Sequence, residues 1–183
     1  MVVPEKIYRH RGALASPPLI FALFASAHQP SIGAIAWMVG LLCFLAGLLV
    51  RIWAQQHLHY RLNIKKYLTN TGPYVFIRNP IYIGNTLICV GLVIASQVLW
   101  LIPITILYCM GLYSLVVRCE EAKLEAEFGE LYQKYKLETP RWIPRSPSFD
   151  KLQLVNEYLG ASLVAEAHNL LLLIPFVFKG MMR

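Results

Sequence analysis

The chain has 183 residues, of which 57% are hydrophobic and only 15% are charged. A soluble domain usually carries about 25% charged residues, so this composition excludes a soluble globular protein and predicts one helical domain embedded in a membrane. The net charge is +7. In so apolar a chain, basic residues usually flank membrane spans and contact anionic lipid head groups, so no nucleic-acid partner is predicted. The four cysteines show no CxxC spacing, so neither a disulfide framework nor a metal site is predicted.

The first apolar segment covers residues 13–27 and is short, with Pro17 and Pro18 where they suit the first turn of a helix. The second covers residues 32–53 and has no charged residue before Arg51. A helix of this length would reach about 33 Å, enough for a hydrocarbon core of about 30 Å. We therefore predict one short span followed by one full span.

Two further apolar segments, residues 81–98 and 99–117, are separated only by the turn within SQVLW. Each is long enough to cross the hydrocarbon core, and the short connection predicts a helical hairpin. The predicted fold class is all-α: a polytopic membrane bundle of four to five transmembrane helices that forms a single domain.

The chain changes character after residue 117. Residues 118–136 place Leu124, Phe128 and other apolar residues at helical spacing among glutamates, which predicts a cytoplasmic amphipathic helix. Pro140 cannot continue a helix and marks its end. Residues 152–178 are half polar and half apolar, so this membrane-associated segment could cross the bilayer, lie in the interface or pack on the hairpin.

Lysine and arginine are concentrated before residue 13, between residues 50 and 81, and after residue 117, whereas the turns HQPS and SQVLW contain neither. Four crossings place all the basic segments on one side of the membrane, and the positive-inside rule makes that side cytoplasmic. We predict an integral membrane protein whose active site faces the cytoplasm.

Three predicted helix ends bring polar and aromatic residues to this cytoplasmic edge. They are His57 and His59 after the second span, Tyr74, Arg78, Asn79 and Tyr82 before the third, and Glu120 and Glu121 after the fourth. Each residue alone has an ordinary explanation as a snorkelling cation, an aromatic-belt residue or part of a solvated face. Their convergence indicates a shared site.

The segment GPYVFIRNPIYIG, a hairpin and the segment EEAKLEAEFGELYQKYKLETPRWIP together resemble the membrane methyltransferases related to isoprenylcysteine carboxyl methyltransferase and the phospholipid methyltransferases. The shared pattern is G-x-Y-x-x-x-R-[HN]-P-x-Y-x-G, a helical hairpin, and a Glu-Glu pair leading into F-G-x-x-Y. The resemblance covers about residues 51–144. It departs at Asn79, where better-known members have histidine, and at Val116, where carboxyl-methylating members have an arginine; here Arg118 follows two residues on.

The resemblance implies S-adenosylmethionine as the cofactor. By position in the motif, Glu120 would accept hydrogen bonds from the cofactor's ammonium group, with Glu121 as its neighbour or substitute. Arg78 and Asn79 would form the opposite wall.

The resemblance also implies contacts to the rest of the cofactor. Tyr74 and Tyr82 would line the adenosine or the sulfonium, where a ring face attracts a cation, and the backbone at Leu68 and Thr69 would reach the base. The sequence has no glycine-rich loop between a strand and a helix, so the soluble Rossmann methyltransferase fold is excluded.

The predicted reaction is methyl transfer to a lipid-borne or small hydrophobic acceptor whose nucleophile is a carboxylate, an amine or a thiol. A carboxylate is already ionised at neutral pH and needs only a cation, for which Arg118 is the candidate. An amine must first lose a proton, and His59, followed by His57, is the candidate base.

Two other function classes stay open. A membrane sterol-type reductase would use NADPH and would need a basic cluster for its phosphate, for which the sequence offers Lys65 and Lys66. A noncatalytic membrane scaffold would make the convergence of polar residues accidental.

Overall fold

The computed structural model describes residues 5–25, 33–63, 67–144 and 152–182, with side chains for 7–25, 33–58, 67–144 and 152–182. Within these ranges the chain is all-helical and contains no strand, which confirms the predicted class. The α-helices are α1 (Glu5–Arg9), α2 (Arg11–Leu14), α3 (Pro17–Phe24), α4 (Gly33–Asn63), α5 (Pro80–Ala95), α6 (Leu101–Phe128), α7 (Glu130–Glu138), α8 (Leu159–Glu166) and α9 (Leu173–Met181). Two 3-10 helices cover Gly72–Val75 and Ala167–Leu172.

Three described segments are long and apolar enough to cross a membrane. They are Gly33–Leu58 within α4, Leu101–Phe128, which is α6, and Leu159–Met181, which joins α8, the second 3-10 helix and α9. The first two match the predicted spans 32–53 and 99–117. The third makes the C-terminal segment a candidate span. Crossing the bilayer is one of the three arrangements that the sequence leaves open for this segment.

The other two predicted spans correspond to shorter helices. Helix α3 has 8 residues and α5 has 16 residues, so they rise by about 12 and 24 Å, less than a hydrocarbon core of about 30 Å. Residues 26 and 27 of the predicted span 13–27 lie outside the described residues. The count of four to five spans therefore stays a prediction.

The predicted amphipathic helix over residues 118–136 is divided in the structure. Residues up to Phe128 complete α6, and Gly129, with φ of 52°, separates it from α7. Glycine suits this left-handed conformation because it has no Cβ. The break lets Tyr132 and Tyr135 pack with Phe128, and Leu68 from the loop before α5 packs against the same cluster. The cytoplasmic location of this region stays a prediction.

Helices α4 and α5 approach each other through glycines. A Cβ on Gly40 would lie 2.6 Å from the carbonyl oxygen of Gly91, and a Cβ on Gly47 would lie 2.6 Å from that of Gly84. Both pairs repeat at seven-residue spacing on antiparallel helices, so the two backbones are in direct contact. Small residues allow this close packing where lipid supplies no hydrophobic driving force between helices.

The main core lies among α4, α5 and α6. Phe44, Leu92, Val116 and Val117 are fully buried in it. Large apolar residues such as Leu107 are exposed on the outer surface, as expected for helices that face lipid tails. This core holds the ends of α5 and α6 together, where the polar residues of the motif lie.

Candidate active site

A cavity of about 1250 Å³ opens between the N-terminal helices, the ends of α4 to α6 and the C-terminal helical segment. Five of the residues predicted to bind the cofactor line it: Tyr74, Arg78, Asn79, Tyr82 and Glu120. They come from the loop before α5, from α5 itself and from α6. The structure therefore brings together most of the residues that the motif singles out.

A hydrogen bond inside this cavity joins Tyr82 on α5 to Glu120 on α6. The Tyr82 hydroxyl donates a hydrogen bond of 2.7 Å to Glu120 Oε1. The Tyr113 ring lies 4.8 Å from the Tyr82 ring, centroid to centroid, and both rings line the cavity. The carboxylate of Glu120 is thereby held beside two aromatic rings.

Arg78 and Asn79 present buried hydrogen-bond donors that have no partner among the described residues. These atoms are Nε and Nη1 of Arg78 and Nδ2 of Asn79. Asn79 occupies the N-cap position of α5 without a side-chain capping hydrogen bond, and Pro80 follows as the first helical residue. Proline favours this position because its missing N–H needs no partner there. Buried donors are nearly always satisfied in folded proteins. Unpartnered donors on two neighbouring cavity-lining residues fit an anionic or carbonyl group of a ligand.

Glu121 has different surroundings from Glu120. It is 6% exposed and does not line the cavity. Its Oε1 accepts a hydrogen bond of 3.0 Å from Arg141 Nε, and Arg141 Nη2 contacts Oε2, while Arg78 Nη2 lies 3.3 Å from Oε1. The hydrogen bond to Glu121 raises the pKa of Arg141. Glu121 thus positions Arg78 through an ion pair outside the cavity lining. The predicted contact of Glu121 with the cofactor stays a prediction.

The chain beyond α7 folds back onto the motif. The Arg78 backbone N–H donates a hydrogen bond of 2.9 Å to the carbonyl oxygen of Pro140. The Tyr135 hydroxyl donates one of 2.7 Å to the carbonyl oxygen of Tyr74, and burial raises the pKa of Tyr135, which keeps the hydroxyl protonated as a donor. These bonds fix the loop that carries Tyr74 and Arg78.

The two residues predicted to reach the adenine lie outside the cavity lining. Leu68 packs against the aromatic cluster of Phe128, Tyr132 and Tyr135. Thr69 is buried, and within the described ranges its Oγ1 has no hydrogen-bond partner. Their predicted backbone contacts with the cofactor stay predictions.

Neither His57 nor Arg118, two of the three predicted catalytic residues, lines the cavity. His57 is 2% exposed, and its ring nitrogens lie 2.9 Å from Thr71 Oγ1 and 3.2 Å from the Gln153 carbonyl oxygen. Arg118 is exposed on α6 and is not a lining residue. The His59 side chain, like Lys65 and Lys66, lies outside the described residues. The catalytic roles of His57, His59 and Arg118 stay predictions.

A polar network that the motif does not include joins α4, α5 and α8. Arg51 Nε and Nη2 donate hydrogen bonds of 2.6 and 2.9 Å to Glu166, and Arg51 Nη1 contacts Asn85 Oδ1. Asn169 Nδ2 donates a bond of 2.7 Å to Glu166 Oε2. All four residues line the cavity. Charged residues inside apolar segments are themselves a functional signal, which could have identified Arg51 and Glu166.

The N-terminal helices contribute a second wall that the motif does not include. The Tyr8 ring is flanked by Arg11 Cζ at 4.5 Å and by Lys123 Nζ at 4.3 Å from its centroid. All three residues line the cavity. Cations over an aromatic face are attracted by its quadrupole, so this contact ties the N-terminal helices to α6.

Among the described residues no group of three or more His, Cys, Asp or Glu side chains is arranged to hold a metal ion.

The chain is similar to two curated proteins. It is 30% identical over 118 residues to the nickel-cobalt-cadmium resistance protein NccN of Alcaligenes xylosoxydans xylosoxydans, covering 64% of this chain and 54% of that protein. It is 30% identical over 95 residues to the cobalt-zinc-cadmium resistance protein CzcN of Cupriavidus metallidurans, covering 52% and 43%. The chain spans about half the length of these relatives. No solved structure matches the chain.

The sequence model of the phospholipid methyltransferase family matches residues 35–131, which is more than half of the 183 residues. The matched region includes the loop before α5, the α5–α6 hairpin and the Glu-Glu pair. It therefore contains the five cofactor-site residues that line the cavity. Together with the three candidate membrane spans, this match shows that the chain is a membrane protein that belongs to the phospholipid methyltransferase family.

Proposed function

We propose that the protein transfers a methyl group from S-adenosylmethionine to a lipid-borne or small hydrophobic acceptor at the cytoplasmic face of the membrane. The observation that carries this proposal is the cavity in which a carboxylate, Glu120, and the unpartnered donors of Arg78 and Asn79 lie together. The family match supports the reaction class. The basic segments of the sequence support the cytoplasmic face.

The charges of the lining residues fit the amino-acid end of the cofactor. An ammonium group needs an acceptor, and Glu120 offers a carboxylate that Tyr82 holds in position. A carboxylate needs donors, and Arg78 and Asn79 carry three that no described residue uses. Hydrogen bonds to charged groups contribute about 1.5 to 3 kcal/mol each, so these residues would account for much of the cofactor affinity.

The aromatic lining fits a cation. When bound, S-adenosylmethionine supplies a methyl group on a positively charged sulfur, which makes that methyl an electrophile. Tyr82 and Tyr113 both line the cavity, and an aromatic face attracts a cation by about 0.5 to 2 kcal/mol depending on desolvation. The tasks left to the protein are to orient the acceptor and to exclude water.

A hydrophobic acceptor is supported by the rest of the lining. Leu19, Ile81, Ile88 and Leu172 contribute apolar side chains to the same cavity. The outer surface of the neighbouring spans carries exposed leucines such as Leu49 and Leu107. An acceptor with an apolar tail could therefore keep that tail in lipid while its nucleophile reaches the polar residues.

Calorimetric titration of the purified full chain in detergent with S-adenosylmethionine and with NADPH tests the proposal. We expect binding of S-adenosylmethionine alone. Binding of NADPH alone would instead support a reductase, and binding of neither would support a scaffold. Incubation with a membrane lipid extract and cofactor labelled in the methyl group then identifies the acceptor, and absence of label in any product would contradict methyl transfer.

A further inference from the structure

The C-terminal helical segment forms part of the cavity although it lies outside the region matched by the family model, residues 35–131. Ala165, Glu166, His168, Asn169 and Leu172 all line the cavity. Glu166 is 2% exposed and Asn169 is 7% exposed. Polar residues in a candidate membrane span are expensive to bury and usually have a function.

The backbone of this segment is irregular where it meets the cavity. Helix α8 ends at Glu166, and the 3-10 helix Ala167–Leu172 carries the chain to α9. In a 3-10 helix, side chains three residues apart lie on the same face. Asn169 therefore reaches Glu166, to which its Nδ2 donates at 2.7 Å. A short 3-10 stretch inside a longer helix often marks a functional hinge or a strained sequence.

The segment is anchored to the spans that carry the motif. Arg51 on α4 donates to both carboxylate oxygens of Glu166 at 2.6 and 2.9 Å. The Arg51 side chain is 14% exposed and that of Glu166 is 3% exposed. Because this ion pair is largely desolvated and bidentate, it gives the C-terminal wall a defined position relative to α4.

The hydrogen bond of His168 sets its tautomer. His168 Nδ1 lies 2.6 Å from the carbonyl oxygen of Ala165. A carbonyl oxygen can only accept, so Nδ1 carries the hydrogen and the neutral ring keeps its lone pair on Nε2. Within the described part of the chain, no hydrogen bond to Nε2 is recorded. His57, by contrast, has both ring nitrogens engaged.

We propose that His168 is the proton acceptor for an acceptor molecule whose nucleophile is a protonated amine; this inference rests on the proposed methyl-transfer function. The ammonium N–H bond breaks, its electron pair stays on nitrogen, and the proton moves to His168 Nε2. The nitrogen pair then forms the bond to the methyl carbon, while the methyl–sulfur bond breaks and returns its pair to the sulfonium sulfur. The imidazolium afterwards releases its proton to water.

The charged groups around the same cavity bear on this proton transfer. Helix α4 presents Arg51, which Glu166 neutralises. The loop before α5 presents Arg78, and α6 presents Glu120, Lys123 and Glu127. The N-terminal helices present Arg9 and Arg11. Glu120 and Glu127 would attract a protonated amine, whereas the cations that line the cavity would oppose it. The His168 imidazole offers the lone pair of Nε2 to the proton.

The first test is chemical modification of the wild-type chain without added cofactor. Diethyl pyrocarbonate reacts with an unprotonated imidazole nitrogen, and mass spectrometry locates the modified histidine. We expect modification of His168 at neutral pH, protection of it by dodecylamine, and no protection by dodecanol. Modification that dodecylamine does not slow, or a lack of reaction at His168, would overturn the proposal.

The second test follows methyl transfer to dodecylamine and to dodecanoate at saturating S-adenosylmethionine. We expect His168→Gln to lower turnover of the amine about a hundredfold at neutral pH, the usual contribution of general-base catalysis. The variant should recover about tenfold per pH unit as the amine itself deprotonates toward a pKa of about 10.4. His10→Gln, at an exposed histidine outside the cavity lining, is the control and should match the wild type.

Several outcomes would count against His168 while leaving the proposed function intact. The first is a pH profile of turnover in His168→Gln that parallels the wild type, and the second is an equal loss of turnover with dodecanoate and with dodecylamine. The third is methylation of dodecanoate but not of dodecylamine. The fourth is a loss of amine turnover in His59→Gln but not in His168→Gln. Calorimetry of each variant with S-adenosylmethionine checks that the site has folded, and the modification test decides if His168→Gln does not fold. Wild-type chain that binds no S-adenosylmethionine would overturn the proposed function, and this inference with it.

Discussion

The Tyr82 hydroxyl donates a hydrogen bond of 2.7 Å to the Glu120 carboxylate and so joins the first turn of α5 to α6 inside the cavity. In sequence these residues are 38 positions apart, at the two ends of a helical hairpin. The contact places the carboxylate that we assign to the cofactor's ammonium group beside the aromatic lining.

Glu120→Gln should weaken binding of S-adenosylmethionine at least tenfold, because a charged hydrogen bond contributes about 1.5 to 3 kcal/mol. Tyr82→Phe should have a smaller effect, about two- to tenfold, since it removes one neutral donor to the carboxylate. Calorimetric titration measures both. Glu130→Gln on α7 changes an exposed glutamate outside the cavity lining and should bind normally. Equal affinity in Glu120→Gln and Glu130→Gln would contradict the assignment of Glu120.

Glu121→Gln should lower the stability of the protein by about 3 to 5 kcal/mol, because it leaves the buried guanidinium of Arg78 without its counter-charge. Glu121 is 6% exposed and contacts both Arg78 and Arg141. Thermal unfolding in detergent, followed by tryptophan fluorescence, measures the change. Glu125→Gln is the matched control, since its ion pair with Lys136 is partly solvent-exposed and should contribute about 0 to 1 kcal/mol. Similar melting temperatures in the two variants would show that Glu121 does not hold Arg78.

Gly91→Ala should destabilise the contact between α4 and α5 by about 1 to 3 kcal/mol, the usual effect of overpacking. Its Cβ would lie 2.6 Å from both the Gly40 carbonyl oxygen and the Phe44 backbone nitrogen, and backbone atoms cannot rotate away. Gly111→Ala on α6 adds the same methyl group where no heavy atom lies within 4 Å, and it should be neutral or slightly stabilising because alanine favours a helix. Parallel chemical unfolding of the two variants tests the difference. Equal stability would mean that the helices do not cross at these glycines.

His57→Ala should destabilise the fold by about 1 to 3 kcal/mol, because it removes a buried imidazole together with its two hydrogen bonds, each of which contributes about 0.5 to 1.5 kcal/mol. The ring ties α4 to Thr71 and to the Gln153 carbonyl oxygen. Gly72→Ala should disturb the same place, since Gly72 has φ of 59° and its Cβ would overlap the His57 ring. Melting temperature is the measurement, with the exposed His10→Ala as control. Unchanged stability in His57→Ala would show that the ring does not hold these two segments against α4.

The proposed orientation predicts that α7 faces the cytoplasm and that the turn between α5 and α6 faces the opposite side. In a chain whose four cysteines have been replaced by serine, Lys134→Cys and Leu99→Cys introduce single thiols at exposed positions. A membrane-impermeant maleimide added to sealed right-side-out vesicles should label Leu99→Cys at once. It should label Lys134→Cys only after permeabilisation. The reverse pattern would overturn the orientation.

The sequence by itself determined the helical class, the residues near which the long apolar helices α4 and α6 begin, and the family of the chain. These features are local in sequence. A continuous apolar segment is enough to predict a span, and the motif residues Arg78, Asn79 and Tyr82 all lie within one short segment. The order of the motif blocks also allowed Glu120 and Tyr82 to be assigned to one site, because a helical hairpin returns the chain to the side on which it began.

Only the tertiary structure separated Glu120 from Glu121. Neighbouring residues on a helix point in directions about 100° apart, so one carboxylate lines the cavity while the other meets Arg78 and Arg141. Arg51 and Glu166 pair across 115 positions, and no local pattern records a contact between segments so far apart. The burial of His57 and the access of His168 to the cavity are decided in the same way, by how the C-terminal segment packs against α4.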